Sequence, residues 1–251
     1  MDSFQLIIDP DKFRSTNSMW NELMLNDPWS VGYVSTLIEL QDWKCKEEWE
    51  NFYYKSGQKR RTLLGANVAL LDDYTLIRNH KSDIYRLSWE LKNINYQYGR
   101  TPSDLMIKAQ DLYSHIKNNG FGLSVDECFE CVRYRTICET WNGIILRERN
   151  TIETLQQIFP TLIISKTDGE IDHNFAVDYE LYKSSNLMCG IQIKPKTYLS
   201  NTPYLQRAKY ANARKYAEYK NTFGVPVFTI ISSTKGEIYN SDILSQIRAM
   251  L

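Results

Sequence analysis

Three side chains in the C-terminal part of the sequence have the types and spacing to hydrolyse a phosphodiester: Asp178, Gln192 and Lys194. A carboxylate holds a hard cation through oxygen, and an amide oxygen offers a second ligand. A lysine beside the attacking water orients it, takes its proton or neutralises charge in the transition state. In a strand the side chains alternate faces, so the run FAVDYELY (175–182) groups Ala176, Asp178 and Glu180 on one side. Phe175, Val177, Tyr179 and Leu181 then point into a core. The next β-branched run, CGIQIK (189–194), places Gly190, Gln192, Lys194 and, just beyond, Lys196 on one face, with Ile191 and Ile193 on the other. Pairing of the two strands would bring acid, amide and ammonium together.

The elements around these strands have to position them. A helix is expected over 141–158 (WNGIILRERNTIETLQQI), ending before Pro160, followed by strands at 161–165, 175–182 and 189–194. A long basic and aromatic helix at 203–224 closes on Gly224, and VPVFTIIS (225–232) is a last apolar strand. The order α, β, β, β, α, β predicts an α/β (α+β) mixed sheet flanked by helices. The preceding part, 1–135, is expected to be mainly helical, a recognition or dimerisation region ahead of a catalytic core at 136–251. Its apolar residues recur at steps of three and four, with Trp20, Trp29, Trp43, Trp49 and Trp89 as core candidates. Thr101-Pro-Ser-Asp104 and Ser124-Val-Asp-Glu127 read as helix-starting capping boxes, with Asn119-Gly120-Phe-Gly122 between the two helices.

Asp178, a gap of thirteen residues, then Gln192-Ile-Lys194 on a hydrophobic strand resembles the core of the PD-(D/E)XK nuclease superfamily. The resemblance covers roughly 136–235, with glutamine in place of the usual second acid and Val177 where a proline often precedes the first. It implies a restriction-endonuclease-like fold and a Mg2+ cofactor held by Asp178, Gln192 and Ile193. It also implies four catalytic residues: Asp178, Gln192, Lys194 and Glu148 of the preceding helix, with Glu139 in reserve. A neutral glutamine leaves less charge for a second cation, which favours one magnesium over two. Gln206-Arg-Ala-Lys-Tyr210 resembles the QxxxY element of RecB-type nucleases.

Formal net charge is zero, so affinity for nucleic acid has to come from local clustering. From Lys194 to Lys220 seven cationic side chains face only Glu218, with Tyr198, Tyr204, Tyr210, Tyr216 and Tyr219 interleaved. That composition suits a phosphate backbone, with Lys196, Tyr198, Arg207, Lys209 and Arg214 as contacts. A second candidate is Lys55, Lys59, Arg60 and Arg61 around an expected glycine-containing turn in WENFYYKSGQKRRTLLG (49–65). This stretch and the compact size resemble type II restriction endonucleases of the MjaI-type group. Such membership implies cleavage of double-stranded DNA at a short palindrome such as CTAG, leaving 5′-phosphate ends. It further implies a homodimer and a companion DNA methyltransferase.

The N-terminus lacks a signal-like apolar run and no stretch is apolar enough to span a bilayer, so a cytoplasmic protein with no membrane partner is expected. Five cysteines without framework spacing fit free thiols. Cys128, Cys131 and Cys138 are one ligand short of a zinc site, and His80, His115 and His173 assemble no nucleophilic triad. Two competing readings remain: a repair or recombination nuclease of the same fold, and a non-catalytic DNA-binding protein built on a decayed core.

Overall fold

The computed structural model describes residues 1–71, 88–117 and 122–251. His80 and most of the Asn119–Gly122 separator lie outside these residues. The chain divides into two compact units, Met1–Asn142 and Gly143–Leu251, the division falling inside a helical stretch.

The first unit is helical. Its longest element, α1 (Lys46–Leu64), starts with two glutamates in the first turn, where carboxylates suit the amino end of the helix dipole. Trp49 and Tyr53 on its inner face are fully buried. The Trp49 indole N–H donates to the Ile137 carbonyl at 3.1 Å and the Tyr53 hydroxyl to that of Val31 at 2.9 Å. Further on are α2 (Trp89–Gln97), α3 (Pro102–Ile116) and α4 (Val125–Arg133). Both expected capping boxes are present, at Thr101/Asp104 and Ser124/Glu127. Trp20, Trp29, Trp43 and Trp49 are buried as expected, whereas Trp89, in the first turn of α2, is 72 % exposed. The expected turn around Gly57 does not exist: α1 runs straight through it. Gly57 is needed there because the Arg100 main chain passes so close that a Cβ would stand 2.2 Å from its carbonyl carbon.

Past α4 the helix widens into π-turns at Tyr134–Cys138 and Trp141–Glu148 before regular winding resumes in α5 (Arg149–Ile158). The helix expected over 141–158 is therefore real, but its first half is π-wound.

In the second unit, α5 leads to β1 (Leu162–Lys166), α6 (Gly169–Phe175), β2 (Tyr179–Lys183), β3 (Asn186–Pro195), α7 (Pro203–Phe223), β4 (Val227–Ser232) and α8 (Asp242–Ala249). The strands form one mixed sheet in the order β1-β2-β3-β4, with the first two pairings antiparallel and β3-β4 parallel. Leu181, Cys189, Ile191, Ile193 and Ile230 pack with Leu155 and Phe159 of the α5 end and Ile247 of α8 as the apolar core. Two helices escaped the sequence reading. α8 follows the last predicted strand. α6 occupies the start of the run read as a strand over 175–182: the Asp168 side chain caps it at Ile171 N–H, and Ala176 ends it in the left-handed conformation (φ 55°). Phe175 and Ala176 thus belong to a helix end, and strand alternation begins only at β2.

Candidate active site

Asp178 sits between that left-handed stop and the first residue of β2, held by main-chain bonds on both sides. Its N–H donates to the Ile191 carbonyl at 2.8 Å, and its own carbonyl accepts from Thr167 N–H at 3.2 Å. The β2-β3 register pairs Tyr179 with Ile191 and Glu180 with Gly190. One step further along, Asp178 lies across from Gln192, on the face opposite the apolar core. Its carboxylate accepts from Ile193 N–H at 2.7 Å. Burial pushes the Asp178 carboxyl up to about 6, against the opposing pull of the Lys194 charge, the Ile193 N–H and Lys166; Asp172 of α6 adds to the rise. Asp178, Gln192 and Lys194 therefore come together on one sheet face, with Lys194 close enough to act on the acid.

Glu148 reaches the same neighbourhood through a third party. Its carboxylate lies 3.8 Å from the Lys166 ammonium at the end of β1, the same lysine whose charge acts on Asp178.

The long helix α7 supplies the lid of the sheet face, and its spacing explains which residues matter. Asn212, Tyr216 and Tyr219 recur at four and three residues, so they lie on one helix face. The Gln192 amide oxygen accepts from Asn212 Nδ2 at 3.0 Å and from the Tyr216 hydroxyl. Tyr216 also meets Thr229 Oγ1 at 3.0 Å, and Thr229 is the β4 partner of Gln192. Asn212 Nδ2 further donates to the Tyr198 hydroxyl at 3.1 Å. Glu180, buried on the same face, accepts from Tyr219 and Tyr182 and is spent structurally. The QxxxY resemblance falls on Gln206 and Tyr210 of the same helix. In the structure Gln206 Nε2 bonds the Asn201 carbonyl and Tyr210 is 71 % exposed. The signal that finds the pair touching Gln192 is period rather than motif, because Asn212 and Tyr216 share a face with buried Tyr219.

The family model for the MjaI restriction endonuclease matches residues 16–243. The chain belongs to the MjaI restriction endonuclease family. No curated protein and no solved structure matches it. As a restriction endonuclease the chain is a DNA hydrolase, and the match takes in the Asp178 face and most of the helical unit alike.

The restriction endonuclease's expected DNA contacts divide by exposure. Arg207, Arg214 and Lys196 are exposed; Lys196 lies over the Tyr239 ring, while Lys209 lies over the Tyr198 ring and donates to the Ser200 carbonyl. Lys55 and Lys59 are exposed on α1. Arg60 corrects the reading: it is fully buried and donates to Asn95 Oδ1 at 2.9 and 2.7 Å, so it belongs to the interior. Arg61 pairs with buried Asp104. Both arginines are drawn inward because α1 continues as a helix instead of turning. Cys128, Cys131 and Cys138 are buried free thiols, and among the described residues no three His, Cys, Asp or Glu side chains cluster to hold a metal. No helix among the described residues is long and apolar enough to cross a membrane.

Proposed function

We propose that the chain is a type II restriction endonuclease of the PD-(D/E)XK kind, hydrolysing double-stranded DNA in magnesium with Asp178 and Lys194 at the reacting phosphate. The observation that supports this most is a single juxtaposition. A carboxyl whose pKa burial raises to about 6 stands on one sheet face with a lysine acting on it, within a helix-strand-helix-strand-strand-helix-strand frame.

The donor atoms gathered there fit magnesium, since carboxylate and carbonyl oxygens are the ligands of a hard cation and no thiolate is among them. Asp178 would supply a carboxylate oxygen, Ile193 its main-chain carbonyl, and Glu148 a second carboxylate on the side of Lys166. Gln192, as placed, gives both lone pairs of its amide oxygen to Asn212 and Tyr216 and would join the metal by releasing one of them. Bound magnesium polarises the phosphate and lowers the pKa of an attacking water. Lys194 orients that water and offsets charge gathering on the phosphate oxygens. In-line attack of this kind leaves 5′-phosphate and 3′-hydroxyl ends. The exposed cations of α7 and Lys196 hold the backbone, a salt-sensitive attraction carrying no sequence information by itself.

Cutting both strands of a palindrome calls for two such sites related by a twofold axis, hence a homodimer, and for a companion methyltransferase that protects host DNA. The helical unit would supply recognition and dimer contacts. Plasmid DNA incubated with the wild type, Asp178→Ala and Lys194→Ala, in magnesium and in EDTA, tests the reading. Discrete bands only from the wild type in magnesium are expected, both variants losing at least about 100-fold in rate. End-dependent loss or smearing would instead indicate a repair-type nuclease. Equal cutting by the variants would overturn the assignment of Asp178 and Lys194, and intact DNA throughout would leave a DNA-binding protein.

A further inference from the structure

Gln192 is the residue of the Asp178 face whose hydrogen bonds say most about its task. It is 3 % exposed, on β3 in the interior of the sheet. An amide oxygen has two lone pairs, and both are taken here: Asn212 Nδ2 donates to one at 3.0 Å and the Tyr216 hydroxyl to the other. The two donors are themselves committed. Asn212 gives its remaining N–H to the Tyr198 hydroxyl at 3.1 Å. With the single Tyr216 proton on Gln192, the Thr229 hydroxyl at 3.0 Å serves as donor to Tyr216.

The amide nitrogen is placed differently. Gln192 Nε2 has no hydrogen-bond acceptor among the described residues, yet it is not one of the side-chain atoms sealed from solvent without a partner. Its two protons are therefore presented on the open side of an otherwise buried residue. Asp178 lies across the strand pair and Lys194 two residues along β3. Burial first, then the Tyr198 and Asp178 charges, push the Tyr216 pKa up against the Thr229 bond, which sets the acid close to this network. An anion across the pair favours the nitrogen, rather than the oxygen, on that side. To become a metal ligand Gln192 has to give up a bond to Asn212 or Tyr216. With both kept, it meets the site through N–H groups, which turn away a cation and suit a phosphate oxygen.

We infer that Gln192 acts through Nε2 as a hydrogen-bond donor to a non-bridging oxygen of the phosphate being cut, and that Asn212 and Tyr216 are positioning residues holding its nitrogen outward. The inference rests on the nuclease reading above. No proton changes hands in this role. Negative charge gathers on the non-bridging oxygens in the transition state, and an N–H already aimed at them needs no reorganisation when it arrives. Lys194 supplies charge there, and Gln192 supplies direction. Turning the Gln192 and Asn212 amides over together would satisfy the same partners and put the Gln192 oxygen outward as a metal ligand. The two arrangements give opposite results for one substitution.

That substitution is Gln192→Glu, made in the full chain. A carboxylate accepts from Asn212 and Tyr216 as the amide oxygen does, so little changes except that the outward N–H2 becomes an oxygen. The measurements are kcat and KM on a duplex carrying the mapped cleavage site, and magnesium affinity by calorimetry without DNA. Gln192→Glu is expected to melt as the wild type does, to bind magnesium at least as tightly, and to lose about 100-fold in kcat, the worth of one transition-state donor. Tyr216→Phe should lose about 10-fold in kcat with KM and magnesium affinity unchanged. The double variant should lose no more than Gln192→Glu alone, because Tyr216 acts only through Gln192. Gln192→Glu cutting as fast as the wild type would overturn the inference and make Gln192 a metal ligand. A Tyr216→Phe loss that adds in full to that of Gln192→Glu, or tighter magnesium binding by Tyr216→Phe, would overturn the positioning role. A wild type that leaves DNA intact in magnesium removes the nuclease reading and this inference with it; a wild type and a Gln192→Glu variant that cut equally remove this inference alone.

Discussion

Replacing Asp178 with asparagine should make the metal-free protein more stable at neutral pH, although it removes the residue on which catalysis is proposed to depend. In the folded chain the carboxyl is pushed from 3.8 to about 6, chiefly by burial. A raised carboxylate pKa means that the folded state resists ionisation more than the unfolded state does. Asp178 therefore costs nothing below pH 3.8, costs progressively more as pH rises towards 6, and costs its full amount above that. A shift of roughly two pH units is worth about 3 kcal/mol at most. Asp178 is only partly buried, and solvent screening reduces this to about 1–2 kcal/mol. Asparagine keeps an acceptor for Ile193 N–H while shedding the charge. Urea unfolding of wild type and Asp178→Asn in EDTA at pH 5, 6 and 7.5 measures the difference. The variant should gain most at pH 7.5 and least at pH 5, with an unchanged denaturant slope. Magnesium should stabilise the wild type more than the variant. A variant less stable than wild type at pH 7.5, or a gap that widens on acidification, would refute the idea that Asp178 is an anion held against its preference.

Three further outcomes test the rest of the structure. Arg60→Ala should cost about 2–4 kcal/mol in thermal or urea unfolding, because it removes a buried charged donor and two of the hydrogen bonds to Asn95 Oδ1, leaving that oxygen the Arg100 Nη2 bond at 3.1 Å; its effect on DNA affinity should follow stability alone. Arg214→Ala, at an exposed α7 position, should leave unfolding unchanged while reducing the salt slope of DNA binding by about one, measured by anisotropy on a duplex at several salt concentrations. Gly57→Ala should destabilise by more than the ordinary gain from replacing a helical glycine, since the added Cβ would stand 2.2 Å from Arg100 main chain; circular dichroism melts give the comparison.

Period carried most of the fold that could be read from the chain. The β-branched runs at β1, β3 and β4 and the capped helices α3 and α4 declare themselves through local chemistry that tertiary structure does not overrule. The run 175–182 misled because its apolar alternation is genuine for four residues of β2 and accidental before them: Asp168, Gly169 and Glu170 are a helix start, and Ala176 takes a conformation that alanine seldom adopts. The convergence of Asp178, Gln192 and Lys194 on one sheet face was legible because polar residues interrupting apolar β-branched runs stand out. Asn212 and Tyr216 were not, since an amide and a tyrosine on a basic helix look like solvated surface until the sheet beneath is known. Arg60 failed for the opposite reason. A charged residue in a charged run reads as exposed, and nothing local reveals that Asn95 receives it.

The segment carrying Asp178 is fixed by three main-chain groups, the Thr167 N–H, the Ile191 carbonyl and the Ile193 N–H, and by one side chain, the Thr167 hydroxyl, which meets the Val177 carbonyl at 2.5 Å and the Asp178 carbonyl at 3.1 Å. The main-chain groups are present whatever side chains the neighbours bear, so mutational drift in most of the surrounding residues leaves the acid where it is. Thr167, through its hydroxyl, and Gly190 are exceptions; any Cβ at Gly190 would stand 2.9 Å from a Val177 methyl and 3.2 Å from the Tyr219 ring. In a lineage free to change which DNA it recognises, such an arrangement lets other surfaces diverge while one glycine, one threonine and a ladder of backbone bonds keep the acid in place.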